Sequence, residues 1–507
     1  MGFCGFTPSM LVVGLLGVAA LPADAQDAAP RAGLSVTPEF GIRQTMTDNV
    51  LLASTNRHFD LITELSPRLR IGSNAGWVRG FFDYALHGLA YAHQSSLNNV
   101  QQSLSAAGTA EAIDRWAYLD ASALISQQYI SALGTRSTDP SLVDTNRTEV
   151  SSVQLSPYVR GRLGGFATYE ARATWASTRS KNSNANSDTT GALLRLGSDP
   201  STFTRVGWSA NWSHQVIDFS ASGKSQTDRL DGVLTFAATR ELSFSLRAGH
   251  ETNDLLTLEK KGYKNWGWGG TWTPTERTRL EVAREQRFFG ASHNVRFEHR
   301  MARSVWSFSD TQNVVTNAQT GGANAPSTVF DLLFAQFASI APDPVQRAAL
   351  VDAFLQNNGL TRATLANGGF LTSAASVQRN QNASVALLGV RTTVLLSAFR
   401  SDGRTLNPAA TVTGDLANGN ALHQLGLGVN VSHRLTPLSA LSLDFNRTKT
   451  NASLGNQNTD LRSLTLTWSN RLRANADLSL SARRALFVSA TNPYAESALI
   501  ADLRLRF

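Results

Sequence analysis

The feature that most constrains this chain is an apolar/polar alternation of period two, recurring from about residue 35 to the end. In 205–214, Val206, Trp208, Ala210 and Trp212 fall on one side, and Arg205, Gly207, Ser209, Asn211 and Ser213 on the other. Leu425, Leu427, Val429 and Val431 oppose Gln424, Gly426, Gly428, Asn430 and Ser432 in the same way, and 116–129 and 463–472 repeat the pattern. Successive side chains of a strand point to opposite faces, so each stretch is a strand with one apolar face. A soluble sandwich would show the same alternation, and the polar face is what separates the two. Here it is Ser, Thr, Asn and Gly with scattered Arg, which suits a wet lumen. The apolar face is rich in Leu, Val and Trp, as an outward lipid band with interfacial aromatics requires. Trp266, Trp268 and Trp272 share one face of a single strand and would crowd a thin sandwich core. Strands span lipid with every backbone group paired only in a closed barrel. The expected fold is therefore all-β, a transmembrane antiparallel outer-membrane β-barrel.

Composition agrees. Of 507 residues, 17% are charged and 42% hydrophobic, which is too apolar for a disordered chain. Beyond the N-terminus no run of 18 apolar residues could form a spanning helix. Residues 9–21 read SMLVVGLLGVAAL, followed by Pro22 and the small-x-small step Ala23-Asp24-Ala25, an export signal of residues 1–25 whose leading segment carries no Lys or Arg. Its removal would take away Asp24, moving the charge from +8 to +9, and with it Cys4, the single cysteine. A mature chain without cysteine has no disulfide, thiol nucleophile, Cys-zinc site or iron–sulfur cluster. Residues 26–34 would be a short periplasmic segment and 35–507 the barrel. At the C-terminus, Leu499, Ala501, Leu503, Leu505 and Phe507 alternate with Asp502, Arg504 and Arg506. Leu503, Leu505 and Phe507 are the expected signal for the barrel-assembly machinery.

Counting alternating segments gives about 22 strands, within a range of 18–22 because 188–198 is weak. Both ends of such a barrel lie in the periplasm, so the count is even and short turns alternate with longer outer loops. Turns such as 73–76 and 434–437 fall on the periplasmic side, and the loops 46–58, 131–147 and 402–419 outside. One region, 316–374, breaks the period. Within it Val329, Phe330, Leu333, Phe334 and Phe337 recur at helical spacing, while Asp343 as N-cap, Pro344, Gln346 and Gly359 bracket a second helix. This predicts a helical insertion in one long loop. Phe330, Phe334, Phe337 and Phe354 are candidate gate or plug residues; the alternative is a loop that only packs on the rim.

Several segments together carry a family resemblance: GLSVTPEFGIRQTMTDNVLL at 33–52, LSPRLRI at 65–71, FFGASHNVRFEHRMARSVWSFS at 288–309 and PDPVQRAALVDAFLQNNGL at 342–360. Through them the chain resembles the PEP-CTERM system-associated outer-membrane proteins. The resemblance implies a barrel encoded beside exopolysaccharide and exosortase genes, serving export or surface assembly. It supplies no residue-level mechanism.

Catalytic signatures are missing from the sequence: there is no HExxH, P-loop, GxSxG or dinucleotide fingerprint. His93-Gln94-Ser95 is similar to the His-x-Ser step of outer-membrane phospholipases, but its parity assigns it to the lumen with Arg79, Asp83 and His87. The pairs His293/His299 and His87/His93 each share a face without an identifiable third metal ligand. No enzyme activity, cofactor or metal is expected. Arg205, Arg247 and Arg471 are candidate lumen-lining residues that would favour anions; the alternative is that many such arginines meet lipid phosphates or lumen carboxylates. Expected partners are outer-membrane lipid and lipopolysaccharide, the assembly machinery, and acidic polysaccharide or polysaccharide-export components. Nucleic acid is not among them, since the basic residues form no cluster. The favoured function is a passive channel or export component with a polar, net-basic lumen. A closed surface-anchoring barrel and a general porin are the rivals.

Overall fold

The computed structural model describes residues 33–74, 76–183, 185–257, 259–315, 347, 351, 370–372, 375–406, 414–455 and 457–507. They form one antiparallel sheet of 22 strands. In chain order these are β1 Leu34–Thr47, β2 Asp60–Asn74, β3 Val78–Tyr91, β4 Asn99–Ile113, β5 Ala117–Tyr129, β6 Arg147–Leu163, β7 Ala167–Ser180 and β8 Ser187–Ser198. Next come β9 Val206–Phe219, β10 Gly223–Ala237, β11 Leu242–Asn253, β12 Lys261–Thr275, β13 Thr278–Arg287, β14 Gly290–Arg300 and β15 Ser304–Val315. The last seven are β16 Ser376–Leu388, β17 Thr392–Thr405, β18 Ala421–Arg434, β19 Ser439–Ala452, β20 Asn458–Arg473, β21 Ala476–Ser489 and β22 Tyr494–Arg506. Each pairs with the next, and β1 pairs with β22 from Glu39↔Arg506 to Thr47↔Ala498, which closes the barrel. Closure removes both free edges, so every strand can cross lipid with its ladder satisfied.

The weak 188–198 segment is a full strand, β8, paired with both β7 and β9. The strand count therefore stands at 22, the top of the expected range. Alternation places the large apolar side chains outward: Trp266, Trp268 and Trp272 are 63%, 49% and 46% exposed on the outer wall. The partner face is small or polar, and Gln424, Gly426 and Asn430 of β18 are buried where Leu425, Leu427 and Val429 are exposed.

The chain leaves β5, β15 and β17 and re-enters at β6, β16 and β18 at the end opposite Leu34 and Phe507, the extracellular end. That end also holds one hairpin with a two-residue connection. β13 returns as β14 after Phe288 and Phe289 alone, with Gly290 at φ +110°, a conformation that side-chain-bearing residues rarely adopt. Residues 1–32, with the export signal and most of 26–34, lie outside the described residues, as do Phe330, Phe334, Phe337 and Phe354. Of the helical insertion only Arg347 and Val351 are described, both helical, with Val351 fully buried.

Candidate functional site

The strands β1 to β3, β21 and β22 form a contiguous arc of the wall, and their inward parity is charged. β1 presents Glu39, Arg43, Thr45 and Thr47, while β2 presents Asp60, Glu64, Arg68 and Arg70. β3 adds Asp83 and His87, β21 adds Arg483, and β22 adds Glu496 and Asp502. The charges interlock across strands. Arg43 Nε lies 3.1 Å from Asp502, and Arg43 Nη1 lies 3.9 Å from Glu64. Glu64 also meets His87 Nδ1 at 2.7 Å. Arg68 pairs with Asp83, and Arg70 reaches Glu39 at 3.3 Å and Asp83 at 3.5 Å. Arg483 Nη2 meets Glu496 at 2.9 Å, and Thr47 Oγ1 donates to the same carboxylate at 3.0 Å. Arg43, Arg68, Arg70 and Arg483 of this arc are thus matched to carboxylates.

Into the mouth above this arc folds the β5–β6 connection, 130–146. Asp139 Oδ2 sits 2.6 Å from Arg483 Nη1, and both side chains are only 6% exposed. Ser141 steadies the carboxylate, its N–H and Oγ donating to Asp139 Oδ1 at 2.9 and 2.8 Å. Burial alone would raise the Asp139 pKa, but Arg483, Arg43 and the Ser141 N–H outweigh it and hold the carboxyl well below the usual carboxylate range. Backbone carbonyls of the segment are claimed by tyrosines: Tyr91 donates to Ser141 at 2.6 Å, Tyr129 to Ser137 at 2.6 Å, and Tyr494 to Arg136. Leu142 closes the contact, buried with Leu52, Ala485, Phe487 and Tyr494. At the segment's start, Ser131 Oγ donates to Asp415 of the β17–β18 connection at 2.6 Å. The sequence reads 131–147 as a polar outer loop; the structure folds it inward and packs it between opposite sides of the β1–β22 seam.

A second inward group lies on β5 to β7. Tyr118 and Tyr158 stack with centroids 5.0 Å apart, Arg160 covers the first ring at 4.4 Å, and Arg172 covers the second at 3.9 Å. Arg172 also binds Asp120 at 2.7 Å and Glu170 at 3.1 Å.

The residues singled out in the sequence are dispersed. Arg247 is inward on β11, 3.6 Å from Glu285. Arg471 lies near the periplasmic end of β20, 3.5 Å from Asp477, and Arg205 is exposed in the turn before β9. Leu503 and Leu505 are on the outer parity of β22, and the Phe507 N–H donates to Pro38 O at 2.9 Å. His93 and Ser95 have left the strand for a short connection, with His93 Nδ1 3.4 Å from Asp60. No hydrogen bond joins His93 to Ser95 among the described residues. His293 binds Asp310 at 2.9 Å and His299 binds Thr278 at 2.8 Å, and no cluster of three metal-ligating side chains occurs among the described residues. Sequence reasoning missed Asp139, Arg483, Glu496 and Arg43. The available signal was charge at lumen parity, as in Glu39, Arg43 and Thr45 along β1.

No family model matches the chain, and no curated protein does. Among solved structures it is similar to the FrpB iron transporter of Neisseria meningitidis, at 10% identity and TM-score 0.46, covering 94% of this chain and 83% of that one. The ferric-catecholate import receptor Fiu of E. coli gives 8% identity and TM-score 0.45, covering 93% and 82%. OpdK of Pseudomonas aeruginosa gives 10% identity and TM-score 0.36, covering 93% and 99%. Function does not carry across at such distances. A closed barrel with an apolar outer wall and a polar inner one has one fitting environment: the chain is a 22-stranded outer-membrane β-barrel.

Proposed function

We propose that this barrel is a passive channel whose extracellular mouth is narrowed by its own 130–146 segment, serving the export or surface assembly of an acidic polysaccharide. The observation that carries the channel reading is the docking of that segment inside the wall through Asp139, Arg483 and Leu142. A loop held by buried ion pairs and tyrosine hydrogen bonds has a defined closed state. Releasing it widens the lumen without disturbing the ladder. The Tyr118–Tyr158 stack with exposed Arg160 over its first ring supports a sugar-acid cargo, since a guanidinium beside flat rings suits carboxylates on pyranose units. The family resemblance supplies the exopolysaccharide setting.

The test is planar-bilayer conductance of the refolded chain beside a variant with 131–146 replaced by a short turn. Stable steps are expected in both, larger in the variant, and blocked by an acidic polysaccharide but not by a neutral glucan. A heat-modifiable, folded barrel that never conducts in either form would overturn the channel. Equal block by the neutral polymer would overturn the acidic cargo.

A further inference from the structure

The outer wall of β19 to β21 departs from that of β1 to β5. Its extracellular half carries Arg447 and Lys449 on β19, Arg462 on β20 and Arg484 on β21, all on the outward parity shared with Leu464, Leu466 and Leu486. Asp460, the outward carboxylate among them on these strands, binds both Arg447 and Arg462 at 2.7 Å. Arg484 is 48% exposed, donates to Ser497 Oγ at 2.5 Å and lies 4.0 Å from Asp48. Exposed Lys449 makes no ion pair among the described residues. Positive charge therefore exceeds negative across this patch. The outward parity of β1 to β5, by contrast, carries no Asp, Glu, Lys or Arg.

Directly below Arg484, toward the membrane, the wall is indented. A groove of about 590 Å³ runs over Leu464, Leu466, Ala482, Leu499, Met46 and Phe59. It is apolar, open to the lipid side, and has Arg484 and Asp48 at its upper edge. Charged side chains on a lipid face cost about 2–4 kcal/mol at the midplane and about 0–1 kcal/mol near the interfaces, so a cationic cluster here marks the outer-leaflet headgroup level.

We infer that this surface seats a phosphorylated lipid of the outer leaflet, one acyl chain in the Leu464–Leu499 groove and a phosphate on Arg484, Arg462 and Lys449. Guanidinium groups bind phosphate bidentately, and an acyl chain fills an apolar slot that opens only onto lipid. The two features lie one above the other in the order that such an amphiphile presents. This assignment does not depend on the channel reading: it concerns the outer wall, and a barrel that fails to conduct would still display it.

The test uses the full-length mature chain in neutral detergent, titrated with bis-phosphorylated lipid A, the same lipid dephosphorylated, and inorganic phosphate. Wild-type protein is expected to bind the phosphorylated lipid and to release it in high salt. Dephosphorylation should weaken binding about tenfold or more, and millimolar inorganic phosphate should not compete. The triple variant K449Q/R462Q/R484Q should lose a similar factor, and A482W, which fills the groove and leaves the cations, should lose affinity for the intact lipid. Heat-modifiability on a gel confirms that each variant is a closed barrel. Equal affinity for the dephosphorylated lipid, or an unchanged triple variant, would remove the phosphate contact. An unchanged A482W, or full competition by inorganic phosphate, would remove the acyl seat. Either result overturns the proposal.

Discussion

Arg483 and Arg484 are neighbours in the chain and lie on opposite sides of the wall. Arg483 points inward, is 6% exposed, and binds carboxylates from β22 and from the 130–146 segment. Arg484 points outward, is 48% exposed, and has one serine hydroxyl and a distant Asp48. One residue type serves as a structural bolt on one face and as a solvent-facing cation on the other. The pleat of β21 sets which is which, because the period of two leaves no intermediate choice. The inner mouth is rigid through matched charge; the outer patch keeps its charge for something outside the protein.

The sharpest way to break this contrast is to delete each side chain's charge. Arg483→Met leaves Asp139 and Glu496 buried without their cation, so the mouth should lose about 3–5 kcal/mol, read as protease cleavage within 130–146. Arg484→Met should change stability by no more than about 1 kcal/mol; equal losses at the two sites would abolish the distinction. Next in size, Leu142→Ala empties part of the cluster with Phe487 and Tyr494 and should cost about 2–5 kcal/mol of docking, measured by hydrogen exchange of 136–143. A smaller effect concerns pH. The Asp139 carboxyl is held below its ordinary value, so its contribution is complete above the unfolded pKa of 3.8 and fades as pH falls below it. Loop protection should therefore be flat from pH 8 to about 5 and decline in stronger acid; a midpoint near pH 6 would contradict the buried pair. Smallest of all, Lys449→Gln should leave thermal stability within about 0.5 kcal/mol of wild type, by calorimetry.

The barrel itself was legible because strand alternation is local information. Trp266, Trp268 and Trp272 announce one lipid-facing strand without reference to any other part of the chain, and the C-terminal run from Leu499 to Phe507 does the same. Even β8, weak in sequence, follows from its place between two strong neighbours. The inward fold of 130–146 was not legible. Its Ser, Thr, Asp and Pro residues read as an ordinary outer loop, and the partner of Asp139 is 344 residues away. Charge balance was hidden for the same reason. Arg43 and Asp502 are adjacent only once β1 meets β22, 459 residues apart in sequence. Composition reports an excess of cations, but not that Arg43, Arg68, Arg70 and Arg483 meet carboxylates inside while Arg447, Lys449, Arg462 and Arg484 gather on the outer wall of β19 to β21.

The position of the β1–β22 seam has a consequence for how the molecule is made. The inward segment grips Tyr91 and Leu52 on one side of that seam and Arg483, Phe487 and Tyr494 on the other. Those two halves of its binding surface do not exist together until the first strand has found the last, the contact of greatest sequence separation in the sheet. Complete docking of 130–146 therefore follows closure, a clasp that shuts after the zip is closed. Cleavage in this segment would count unfinished barrels in a population, and a chain stalled before closure would be open at the very place where the mature protein is most tightly held.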